Sequence, residues 1–62
     1  MTTEEIYLKD RIVDFAMEHG VYDLTPFEVD FIETLDNLSN DEDLSTAQIE
    51  VMEEIASKLN LR

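Results

Sequence analysis

Three times in this chain a hydroxyl residue is followed three positions later by Glu or Gln. Each time an apolar residue stands just before the hydroxyl and another just after the acid or amide. The three instances are Met1-Thr2-Thr3-Glu4-Glu5-Ile6, Leu24-Thr25-Pro26-Phe27-Glu28-Val29 and Leu44-Ser45-Thr46-Ala47-Gln48-Ile49. This is the signature of a helix start. The hydroxyl accepts from a free amide of the first turn, the Glu or Gln reaches back to the cap amide, and the apolar pair packs across the entry. Pro26 fits the first helical position, where its missing N–H is not needed. Three helix starts leave little room for any other element.

The stops agree with the starts. Gly20, the only glycine, follows His19 where a helix would end. Ser39-Asn40-Asp41-Glu42-Asp43 reads as a polar loop. Helices are therefore expected over about 3–19, 26–38 and 46–60. Apolar residues recur at helical period within them. Leu8, Ile12, Phe15 and Ala16 share a face of the first, widened by Ile6, Val13 and Met17. Phe27, Phe31, Leu35 and Leu38 line the second, with Ile32. Met52, Ile55, Ala56 and Leu59 line the third, with Ile49 and Val51 at its edges. No segment alternates as a strand. The expectation is an all-α fold, a compact three-helix bundle forming one acidic domain over residues 1–62.

A 62-residue chain buries only about 60% of the surface its unfolded form exposes, so its margin of stability is thin. It has no cysteine, hence neither a disulfide nor a thiolate site. The acidic start is unlike a signal peptide, and no apolar run approaches the ~20 residues of a membrane span. A cytoplasmic location is expected, and the sequon Asn37-Leu38-Ser39 then carries no meaning. Hydrophobic content of 44% is that of a folded protein.

Charge is the strongest compositional feature. Sixteen acidic residues face four basic ones, for a net charge of −12. Between Ile12 and Ser57 there are 13 acidic residues and no Lys or Arg. Nucleic acid and anionic membranes are disfavoured as direct partners, because both would be repelled; a basic protein surface is favoured.

Catalytic chemistry finds little to work with. The one histidine, His19, lies in the last turn of the first helix, where an imidazolium suits the negative end of the helix dipole. The serines fall at loops, caps or a last turn. The carboxylates fall mainly on solvent faces, without the cleft that paired acid–base work needs. The stretch Asp36–Asp43 is rich in oxygen ligands. Starting a calcium loop at Asn37 gives Asn37, Ser39, Asp41 and Asp43, but puts Glu42 where glycine is required and Gln48 where a glutamate is required. Neither an enzyme nor a cofactor or metal protein is expected.

Binding surface remains. Tyr7 falls on the polar side of the first helix among Asp10, Arg11, Asp14 and Glu18. It reads either as an interface anchor or as a ring lying over the domain edge. Asp30, Glu33 and Asp36 form the outer face of the second helix and continue into Asp41, Glu42 and Asp43; Glu50, Glu53 and Glu54 add to them from the third. These acids read either as a solvated face that keeps a small protein dispersed or as a surface imitating a phosphate array.

The elements Leu24-Thr-x-x-Glu28-x-x-Phe31 and Leu44-Ser-x-x-Gln48 resemble a helix pair of short phage-encoded proteins of unassigned role. The tiny, acidic format also resembles phage or mobile-element proteins that inhibit host nucleic-acid enzymes, some by mimicking DNA. These resemblances imply a protein-binding module, an inhibitor or modulator of a nucleic-acid-binding host protein. The competing expectation is a self-associating structural or accessory module, a homodimer, because the apolar arc from Leu8 round to Met17 is wider than one groove requires.

Overall fold

The computed structural model describes residues 1–61 and consists of three helices: α1 (Thr3–His19), α2 (Pro26–Asn37) and α3 (Thr46–Lys58). Arg62 lies outside the described residues. No strand occurs among them, and the fold is the expected all-α three-helix bundle. α1 packs against both α2 and α3, which meet each other more sparingly.

All three capping boxes form. Thr2, Thr25 and Ser45 accept from the amides of Glu5, Glu28 and Gln48, each at 3.2 Å. The reciprocal bonds from the cap amides to Glu5, Glu28 and Gln48 run 2.8, 2.9 and 2.8 Å. Each cap satisfies two amides that would otherwise lack a partner at the helix start. Met1, Leu24 and Leu44, the apolar residues before the caps, all lie in or against the core.

The helix ends use three different devices. Gly20 closes α1 at φ 85° and ψ −174°, and its amide donates to the Ala16 carbonyl. α2 ends at Asn37 with Leu38 in extended geometry. α3 stops at Lys58, two residues before the predicted Asn60. There Asn60 turns left-handed at φ 57°. The Leu61 amide reaches the Ala56 carbonyl at 2.9 Å and the Asn60 amide reaches Ser57 at 3.2 Å. That bond pair is a Schellman ending, with Asn in place of the usual glycine.

Ile12, Leu35, Met52 and Ile55 are fully buried at the centre, with Phe31, Ile32, Leu44 and Ala56 around them. Two apolar residues expected on the inner faces point outward instead. Met17 is 81% exposed, because it sits five residues, about 140° of helix, round from Ile12. Phe27 is 65% exposed, because α2 and α3 leave a gap beside the first turn of α2.

Candidate partner-binding surface

The geometry of the surface begins with Lys9, Lys58 and Arg11, the three basic residues among the described ones. Lys9 is 7% exposed and lies inside the apolar face of α1. It is three residues before Ile12 and seven before Ala16, a spacing that carries it inward. Its ammonium donates to the Leu38 carbonyl at 2.8 Å and to Asn40 Oδ1 at 3.0 Å. It thus caps the C-terminal end of α2, which has no basic residue in its own last turn.

Lys58 is committed in the same way at the opposite end. It donates to both carboxylate oxygens of Glu28, at 2.7 and 3.0 Å. Glu28 is buried. The Lys58 hydrogen bonds and the Thr25 amide hold its carboxyl below the ordinary glutamate range, against the upward push of burial. Arg11 lies against Tyr7, with Nη1 donating to the phenol oxygen at 3.1 Å and the guanidinium 5.6 Å from the ring centre.

The acidic side chains predicted to bind a partner are left on the outside. Asp30, Glu33, Asp36, Asp41 and Glu42 are exposed, and none has a cationic side chain in ion-pair range among the described residues. Asp43 is exposed as well, with the Met1 ammonium 3.5 Å from its carboxylate. The loop that carries the last three is shaped by Ser39. Its Oγ accepts from the Asp41 amide at 3.3 Å and its carbonyl from the Glu42 amide at 3.0 Å. Among the described residues no three His, Asp or Glu side chains gather as metal ligands would. His19 is exposed and its ring lies tilted by 40° against that of Phe15, with ring centres 4.7 Å apart.

The predicted site residues do not share one recess. Glu33 and Asp36 border the α1–α2 side together with Met17, Val13 and Val21. Asp30 turns the other way, toward the α2–α3 seam. Tyr7 stands apart from all of them, on a groove of about 710 Å³ between α1 and α3 that Leu8, Ile49 and Met52 also line. The outer face of α2 is thus an acidic ridge between two recesses, and Tyr7 belongs to a third.

No family model matches this chain, and no curated protein or solved structure matches it. Among the described residues no helix is long and apolar enough to cross a membrane.

Sequence reasoning missed two features here. Lys9 was legible as a cation but not as a buried one, although its spacing to Ile12 and Ala16 carried the signal. Phe27 was legible as apolar, but its exposure follows from how α2 and α3 diverge, which no local pattern reports.

Proposed function

We propose that this chain is a protein-binding module that presents the acidic outer face of α2 and the following loop to a basic surface on a nucleic-acid-processing protein. It acts by occupying that surface, not by catalysis. One observation carries the reading. The fold commits Lys9 and Lys58 to internal partners and leaves Asp30, Glu33 and Asp36 exposed with no cation in range among the described residues. The three carboxylates succeed one another about every 4.5 Å along the helix. That is of the same order as the rise of roughly 3.4 Å per nucleotide on one strand of duplex DNA. In this reading the protein works in the cytoplasm, and its phage-like format makes the partner a host protein.

Affinity capture from the native host, washed at low and then at high salt with duplex DNA as competitor, tests the proposal. A basic nucleic-acid-binding protein should be retained at low salt, released as salt rises and displaced by DNA. Retention unchanged between low and high salt contradicts the electrostatic premise.

Met17 favours a second reading. It is 81% exposed beside Val13 and Val21, a patch that a second copy of the chain could cover. Two bodies of charge −12 must then meet. A monomer in sedimentation at high micromolar concentration removes this reading.

A further inference from the structure

The α2–α3 seam is the least closed of the three helix contacts, since both helices pack mainly on α1. It leaves a groove of about 360 Å³ lined by Phe27 and Phe31 of α2 and by Ala47 and Val51 of α3. Within each pair the spacing is four residues, which aligns the side chains along the groove. Phe31 is anchored in the core, whereas Phe27 is 65% exposed, so the groove offers an unfilled aromatic wall.

Its rim is acidic on both sides. Asp30 stands on the α2 side. On α3, Glu54 follows Val51 by three residues and Ala47 by seven, which sets it on the flank of the groove, whereas Glu50 lies on the outer face of that helix. All three are exposed, and none has a cation in ion-pair range among the described residues. Lys58 is one turn beyond Glu54, with its ammonium held by Glu28.

We propose that this groove receives a basic amphipathic helix of a partner protein. Apolar side chains at i and i+4 would seat against Phe27, Phe31 and Val51, and flanking Lys or Arg would lie over Asp30 and Glu54. The proposal rests on the protein-binding reading above and specifies the partner's chemistry. Charge selects this occupant over the alternatives. A second copy would bring a further −12 to an acidic rim, and a neutral apolar ligand would leave the carboxylates of Asp30 and Glu54 unmatched.

Two peptide probes of equal positive charge test it. One is a Leu/Lys helix with leucines at i and i+4; the other is a Lys/Gln helix without apolar residues. Each is titrated into the full-length chain at low salt and followed by amide chemical shifts. The Leu/Lys helix should bind more tightly and shift amides within 27–34 and 47–54. Phe27→Ala should weaken it roughly tenfold. Glu54→Gln, which leaves the packing untouched, should weaken it about threefold. Unchanged affinity in a Phe27→Ala variant shown to be folded by circular dichroism overturns the proposal, as do shifts centred on Tyr7 or residues 39–43. Equal binding of both peptides along Asp30, Glu33 and Asp36 overturns the groove while leaving the acidic-surface reading standing. Failure of both peptides to bind at low salt overturns both. A sedimenting dimer whose interface contains Phe27 overturns the proposal by giving the groove to a second copy.

Discussion

Lys58 donates to both carboxylate oxygens of Glu28 at 2.7 and 3.0 Å, joining the last turn of α3 to the first turn of α2. Glu28 therefore serves two structures at once, as the reciprocal member of its own capping box and as the anion of a tertiary pair. The third helix performs the capping half of that work with a neutral Gln48. The comparison separates the two roles.

Glu28→Gln should keep the cap and lose only the charge. Because Lys58 keeps 41% of its side chain exposed, solvent screens the pair, and the expected cost at neutral pH is about 1 kcal/mol or less. Glu28→Ala, which also removes the cap partner, should cost more. The Glu28 carboxyl titrates below its ordinary value in the fold. Its contribution is therefore present above the unfolded value of about 4.3 and is lost as pH falls through the lowered folded value. Urea unfolding of the parent and of Glu28→Gln at pH 7, 5 and 3 checks this. The gap between them should hold from pH 7 to 5 and shrink at pH 3. A gap unchanged across the series would show that the charge does not act through Lys58.

Lys9→Met should destabilise the fold although it removes a charged group from an apolar face. Methionine matches the lysine stem closely enough to keep the packing. The loss is the donor, leaving the Leu38 carbonyl and Asn40 without the bonds they now accept. Hydrogen bonds from a charged group contribute roughly 1.5–3 kcal/mol, and a loss of that order is expected. The same substitution should increase amide exchange first near 37–40, where the capped helix end lies. Equal or greater stability of Lys9→Met would show that the buried ammonium costs more than it contributes.

Local chemistry and tertiary placement differ in how far the chain sequence reveals them. The three caps were readable because every partner lies within three residues, so spacing alone specifies the bonds. The core was readable for Ile12, Leu35 and Ile55, which sit at the centre of their stripes, and misread for Met17 and Phe27, which sit at the edges. There, burial depends on where the neighbouring helix passes. The end of α3 was placed at Asn60 because nothing in the residue type of Asn60 distinguishes a last helical turn from a left-handed exit. Exposure of the acids was readable from spacing, but their division between recesses depends on the packing of α2. The spacing of Lys9 to Ile12 and Ala16 marks it as inward, but the partners of Lys9 and Lys58 lie about thirty positions away, beyond the reach of any local pattern.

The two left-handed positions should respond differently to substitution. Asn60 lies in the ordinary left-handed region at φ 57°, which Asn tolerates, so Asn60→Gly should change stability little. Gly20 combines φ 85° with ψ −174°, a region essentially restricted to glycine. A Cβ there would also stand 2.7 Å from the Tyr22 ring, whose exposed side chain can swing away. Gly20→Ala should therefore cost roughly 1–3 kcal/mol through backbone strain, and Gly20→Asn should be no rescue. Thermal melts of the three variants decide the matter. Melts showing Gly20→Asn near the parent would mean that the α1 exit relaxes to a conformation open to other residues.

Added salt should stabilise this protein. Its longest dimension is 29 Å, about the Debye length of roughly 30 Å at 0.01 M ionic strength. At low salt every carboxylate therefore acts on nearly all the others. At 1 M the screening length is roughly 3 Å, and only directly bonded groups still interact. The Glu28–Lys58 pair, with its closest contact at 2.7 Å, is of that kind and should survive, whereas repulsion among the acids between Ile12 and Ser57 should not. The repulsive sum over a net charge of −12 outweighs what screening takes from one partly exposed attraction, so the melting temperature should rise from 0.01 to 0.5 M sodium chloride. Binding a basic partner removes the same repulsion, so the partner should raise the melting temperature most at low salt, and its effect should fade as salt does the work instead. A melting temperature flat or falling with salt would show that the exposed acids are spaced widely enough to coexist, and would remove the energetic reason for the fold to favour a basic surface.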